Sequence, residues 1–121
     1  MKQRPKLRPV TEEMKEWSAH LDHELMSWPN VTRRQMFGMI VFYRDEKIFA
    51  ALPRTKSFDP PNSVAFKLYE PVKGMTNDPR IVEPEKPEGW IVYVLEKSND
   101  LHGALRWFDV AYRKCAEKKK S

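Results

Sequence analysis

The spacing of the apolar residues changes twice along this chain, and that change limits the fold more than any other feature. Between residues 14 and 28 apolar residues recur every three or four positions, the period of one helix face. Between residues 36 and 95 they form short runs or alternate, as they do in strands. From residue 101 to 115 the helical spacing returns. Helices at both ends with strands between them predict an α+β fold with helices packed on an antiparallel sheet.

The first helix has both a start signal and an apolar face. Thr11 is a suitable N-cap, and Glu12 and Glu13 follow in the first turn, near the positive end of the helix dipole. Pro29 ends the helix, because a residue before proline is disfavoured in the α region. The predicted buried face consists of Met14, Trp17, Leu21, Leu25 and Trp28.

Two apolar runs, Met36 to Tyr43 and Ile48 to Leu52, predict a hairpin around the turn RDEK. Asp45 suits a tight turn, whereas Glu46 is unfavourable at positive φ, so a longer loop or a non-primed turn stays open. The alternating run SVAFKLYE predicts a further strand with one buried face, formed by Val64, Phe66 and Leu68.

The segment GWIVYVLE is apolar on both faces and therefore predicts a central strand. Before it, residues 71–89 contain four prolines, which allow a single turn near 72–75 or a short strand at 80–82. A connection of this length is often functional, so a small-molecule site or an unrecognised enzyme site beneath it is one alternative.

The last helix is predicted to begin at a cap formed by Ser98, Asn99 or Asp100. Trp107 lies about 100° from the centre of its apolar stripe and Val110 nearly opposite, so Val110 is predicted to face outward. The stripe consists of Leu101, Leu105, Phe108, Tyr112 and Cys115.

Length and charge predict one domain, residues 11–117, between basic tails at 1–10 and 118–121. The tails contribute +7 to a formal net charge of +5, which leaves −2 for the body. Such tails favour solvated ends over a folded basic face, with weak non-specific nucleic-acid binding as the alternative. A single cysteine, no signal-peptide pattern and no long apolar run predict a cytoplasmic protein without membrane association.

The stretch VTRRQMFGMIVFYRDEKIFAAL resembles the N-terminal domain of TfoX-like proteins. It shares an Arg-x-Met-Phe-Gly run, here residues 34–38, and a second strand containing Phe49 and Ala50. The segments GWIVYVLE and DLHGALRWFDVAYRKC are similar to the end of YjbR-like and luciferase-domain-like proteins. The resemblance implies a two-layer, secretion-chaperone-like fold with about five antiparallel strands, and it implies no catalytic residues. TfoX-like proteins are associated with competence regulation. The chain departs from the pattern at Met39, at Asp45-Glu46, and in the insertion RTKSFDPPNS.

Few polar residues have a spacing that is typical of a metal site or a catalytic site. His20 and His23, beside Glu24, have a metal-ligand spacing, but both project away from the apolar stripe, and His102 is distant in sequence. Cys115 lies on the apolar face near a helix C-terminus, where a thiolate is disfavoured, so packing is its predicted role. These residues predict no metal, no cofactor and no catalytic site.

Arg33, Arg34 and Lys47 are candidate anion contacts, although edge arginines commonly pair with acids such as Asp22 or Glu24.

Aromatic residues make up 12% of the chain, and most of them are predicted to be core. A surface shared by Trp107, Val110 and Met75 would be an apolar patch suited to self-association or to a protein partner. The leading hypothesis is therefore a non-enzymatic binding or regulatory module that uses this patch or a sheet face, with a dimer as one of its forms. Nucleic-acid binding through the tails and Arg33 and Arg34 is the alternative.

Overall fold

The strands of this protein pair in the order in which they follow one another along the chain. A computed structural model describes residues 10–58, 60–84, 86 and 88–116, so the predicted basic tails lie outside it except for Val10. The elements are α1 (Glu12–Met26), β1 (Val31–Met36), β2 (Met39–Arg44), β3 (Lys47–Pro53), β4 (Ser63–Leu68), β5 (Gly89–Val94) and α2 (Asp100–Ala116). All neighbouring strands are antiparallel, which confirms the predicted two-layer α+β fold.

Helix α1 begins at its predicted cap but ends at Met26, so Trp28, predicted for its apolar face, lies beyond the helix. The Thr11 hydroxyl accepts a hydrogen bond from the Met14 N–H at 3.0 Å, as predicted for the N-cap. Met14, Leu21 and Leu25 are fully buried, and Trp17 is nearly so. One face of α1 therefore packs on the sheet.

The predicted hairpin around RDEK is formed by β2 and β3, but a first hairpin that was not predicted, β1 and β2, precedes it. The run from Met36 to Tyr43 is not one strand, because Phe37 and Gly38 form a two-residue turn between β1 and β2. Strand β1 was not predicted, since four of its six residues are polar side chains exposed to solvent. The second turn, Asp45-Glu46, also has only two residues, with φ of 50° and 77°, so the longer loop is excluded.

A β-bulge in β3 turns two successive side chains toward the helices. Phe42 pairs with Ala50 and Tyr43 with Ile48, which leaves Phe49 as the extra residue. Phe49 and Ala50 are accordingly both fully buried in the main core.

Strand β5 lies at the end of the sheet and not at its centre, so that prediction is wrong. One face packs its Ile91 and Tyr93 in the core, but the other carries Trp90 at 41% exposure. The proline-rich connection supplies the predicted short turn, a 3-10 helix at Met75–Asn77. It also supplies an isolated bridge between Ile81 and Tyr93.

Helix α2 covers the same sheet face as α1. Its predicted stripe is buried except for Leu105, which is half-buried. Gly103 permits a close approach, because a Cβ at this position would lie 2.0 Å from the Tyr93 hydroxyl oxygen. The main core lies between both helices and the sheet.

A smaller cluster occupies the opposite sheet face, where Val41, Ala51 and Ala65 are buried and Phe58 packs against them. No helix of the described residues is long and apolar enough to cross a membrane.

Candidate functional site: the first hairpin

The tip of the first hairpin carries the most exposed large apolar side chain described in this protein. Phe37 is 87% exposed, while Met36 and Met39 on either side of the turn pair across the hairpin. Phe37 and Gly38 have φ of 52° and 78°. Such turns favour Asn-Gly, because asparagine tolerates positive φ better than a bulky residue does. Phe37 therefore has an unfavourable backbone conformation and an unfavourable exposure.

The backbone at the tip is held in place. The Gly38 carbonyl accepts hydrogen bonds from the N–H groups of Arg54 at 2.9 Å and Thr55 at 3.0 Å. Thr55 in turn accepts one from the Val10 N–H at 3.3 Å. Phe37 thus projects from an anchored turn, which reduces the entropy lost when a partner covers its ring.

The outer edge of β1 is open within the described part of the chain. β1 ends the sheet, and Thr32, Arg33, Arg34 and Gln35 are exposed. The two-residue turn determines which β1 residues form hydrogen-bonded pairs with β2, because such pairs alternate with non-bonded pairs along an antiparallel ladder. The hydrogen bond from the Asp45 N–H to the Asn30 carbonyl fits this alternation. The backbone N–H and C=O groups of Arg33 and Gln35 therefore point away from β2.

A shallow groove of about 500 Å³ lies between α1 and this edge. Met26 is 41% exposed there, and Arg33 forms an ion pair with Asp22. The other carboxylate oxygen of Asp22 is buried and has no hydrogen-bond partner among the described residues. The groove is lined by Ala19, Asp22, His23, Met26 and Arg33.

The five strands contain basic residues but no aspartate or glutamate. Several of these cations lie over aromatic rings of the same chain. Arg34 lies 5.7 Å from the Tyr43 ring centroid, and Arg44 lies 3.9 Å from that of Tyr112. The sheet is therefore a positively charged element in a body whose acids lie in helices and loops.

The three predicted anion contacts do not converge. Arg33 pairs with Asp22, one of the two acids expected to neutralise it. Arg34, the next residue of the strand, points to the other sheet face, and Lys47 stacks 4.9 Å from the Tyr69 ring. No described acidic side chain pairs with Arg34.

The predicted patch of Trp107, Val110 and Met75 is not an exposed surface. Met75 is only 3% exposed, and Trp107 and Val110 pack half-buried against the core. The Trp107 indole N–H donates to Asp78 at 2.8 Å. Val110 was predicted to face outward, but it packs against the core. Helix α2 contacts both the sheet and α1, so more than one side of α2 is covered.

The remaining candidates do not form a reactive cluster. His20, His23 and His102 are all exposed, and the described residues contain no group of three or more metal-ligating side chains. Cys115 is buried, as predicted, with its sulfur 3.9 Å from the Lys47 carbonyl oxygen. Burial raises the pKa of the Cys115 thiol, against smaller opposing effects of Lys47 and Arg44. This thiol is therefore a weak nucleophile at neutral pH.

Sequence reasoning missed Phe37 and Met26 as surface residues. The signal for Phe37 was the run Met-Phe-Gly-Met, which places glycine second in a two-residue turn.

Comparisons with protein-family models, with curated proteins and with solved structures found no match.

Proposed function

We propose that this protein is a non-enzymatic module that binds another protein through its first hairpin. We call the surface formed by Phe37, the edge residues 32–35 and the groove residues Ala19, His23 and Met26 the hairpin surface. Phe37 carries the proposal, because neither burial nor turn geometry accounts for a phenylalanine at this position. Covering an exposed Phe ring stabilises a complex by about 2 kcal/mol. The resemblance to TfoX-like regulatory domains is in keeping with a binding role and stays a prediction.

The test is selection from a random peptide display library on the immobilised full chain. Selected peptides are expected to lose binding to the Phe37→Asn variant and to keep binding to Trp90→Ser. Trp90 is the matched control, since it is another exposed aromatic residue on the sheet. The proposal is wrong if no peptide is enriched, or if the enriched peptides bind Phe37→Asn as well as the natural chain.

Self-association through the same surface is the other form of the predicted protein contact. Sedimentation velocity at two concentrations measures it directly. A dimer that Phe37→Asn dissociates and Trp90→Ser preserves would make the second copy the partner.

Nucleic-acid binding is a second candidate, and the acid-free strands favour it. The basic residues Lys2, Arg4, Lys6 and Arg8 precede Val10, which bonds to Thr55 beside the hairpin turn. Fluorescence anisotropy with a single-stranded oligonucleotide at two salt concentrations tests it. Affinity that falls steeply with salt and disappears on removal of residues 1–8 and 118–121 would support this candidate. Affinity without either property would contradict it.

A further inference from the structure

We propose that the β1 edge takes up an extended, acidic segment of a partner protein as an added strand. This inference rests on the proposed function, because it assumes that the ligand of the hairpin surface is a protein. Added strands bind by main-chain hydrogen bonds at an open sheet edge and by side-chain pockets at alternate positions. The β1 edge offers both features.

The main-chain groups come from Arg33 and Gln35, whose N–H and C=O groups point away from β2. An added strand would bond to these two residues without breaking any β1–β2 bond. The Phe37 ring lies just beyond the end of β1, so the added strand would run toward it.

The side-chain pocket is the groove between α1 and β1. Side chains of the added strand that lie opposite Arg33 and Gln35 would face the helices, as those two residues do. They would meet Ala19 and the exposed Met26. Small or apolar side chains suit these positions.

The charge of the occupant follows from Arg34. A residue opposite Arg34 would share its sheet face, where the strands carry no acid and no described acidic side chain pairs with it. A carboxylate there would gain an ion pair with Arg34. The segment is therefore expected to alternate between acidic residues and small or apolar residues.

The same charges disfavour a second copy of this chain at the edge. Antiparallel pairing of β1 with its own copy, when centred on Arg33 or Arg34, places that arginine opposite the same residue of the partner. Like charges on facing strands are destabilising. An acidic strand meets no such repulsion.

The first test uses a labelled peptide with alternating valine and glutamate, and a control peptide with lysine in place of glutamate. The glutamate peptide is expected to bind the full chain more tightly than the lysine peptide by about tenfold, at a Kd below about 1 mM. Two N-methylated versions of the glutamate peptide block alternate sets of backbone N–H groups. One of them should lose binding and the other keep it, because only one set can face β1. Equal binding of the two versions, or no binding of the glutamate peptide, would overturn the proposal.

The second test changes the edge itself. Gln35→Pro removes an outward N–H, and proline is tolerated at such edge positions, so the fold is expected to survive. This variant and Arg34→Glu should each weaken the glutamate peptide by about tenfold. Arg106→Glu, the same charge change on an exposed position of α2, should leave it unchanged. Unchanged affinity in Gln35→Pro would contradict the added strand, and a dimer that Gln35→Pro dissociates would do the same.

The two levels of proposal fail separately. Display-selected peptides that depend on Phe37 but not on Gln35 would leave the binding function standing and remove the added strand. Selected peptides that depend on neither residue would remove both.

Discussion

Gly103 in α2 offers the sharpest test of the packing between the last helix and the sheet. In an exposed helix, replacing glycine by alanine stabilises the helix by about 1 kcal/mol. Here the added Cβ would lie 2.0 Å from the Oη of Tyr93 and 3.0 Å from its Cζ. Tyr93 is 4% exposed on β5, so its ring has little room to move. Overpacking of this kind costs about 1–3 kcal/mol, and the clash should outweigh the gain in helix propensity.

The expected net effect of Gly103→Ala is therefore a loss of about 1–2 kcal/mol in the free energy of unfolding. For a chain of this size the loss lowers Tm by about 5 °C. Urea denaturation followed by circular dichroism gives the free energy, and a thermal scan gives Tm. A higher Tm for Gly103→Ala would refute the close approach of α2 and β5.

A double-mutant cycle with Tyr93→Phe isolates the contact. Removing Oη leaves Cζ, at 3.0 Å, as the atom nearest to the new Cβ. The double variant should therefore be more stable than the sum of the two single changes predicts, by about 1 kcal/mol. Arg106→Ala, at an exposed position of the same helix, is the control and should change stability by less than about 0.5 kcal/mol. Strict additivity would show that Oη is not the clashing group.

Three further predictions concern other parts of the chain. Phe37→Asn should stabilise the fold by about 0.5 kcal/mol, measured by urea denaturation, because asparagine suits positive φ; a loss would mean that the ring packs in the fold. Thr11→Ala should lower the free energy of unfolding by about 1 kcal/mol in the same assay, since it removes the N-cap of α1. Thr11→Ser should keep most of that stability, because serine is also a good N-cap. Burial raises the pKa of Cys115 above 9.0, so this thiol stabilises the fold below that pH and the contribution is lost as pH rises through the folded pKa. The natural chain should thus lose stability more steeply than Cys115→Ala above about pH 9, and equal slopes would contradict a buried thiol.

The helices were predictable because their signals are local. The Thr11 cap and the three-to-four spacing of Met14, Trp17 and Leu21 are read within a few turns of the chain. The sheet was less predictable, since strand order depends on contacts between distant residues. Nothing in GWIVYVLE distinguishes a central strand from an end strand whose outer face leaves Trp90 partly exposed.

The candidate site was mostly hidden from sequence reasoning for the same physical reason. β1 has only one buried residue, Val31, so its apolar pattern is too weak to indicate a strand. The position of Phe37 in an apolar run indicated a core residue of a longer strand, but the turn between β1 and β2 exposes its side chain to solvent. Pairing of Arg33 with Asp22 was anticipated, because an acid on α1 and an arginine on the following strand lie on adjacent elements.

The hairpin surface is also where the chain departs from what stability alone favours. An open edge strand invites pairing with other chains, and charged residues such as Arg33 and Arg34 are a common defence against self-pairing. The effect of these charges depends on the charge of the approaching strand, however, because they repel another copy of β1 and attract a strand of opposite charge. Phe37 adds an apolar contact at the end of the same strand at a cost in backbone conformation. The β1 edge combines charges that disfavour pairing with its own copy and an exposed ring at its end, so we expect it to be selective. The glutamate and lysine peptides measure its selectivity for an acidic segment.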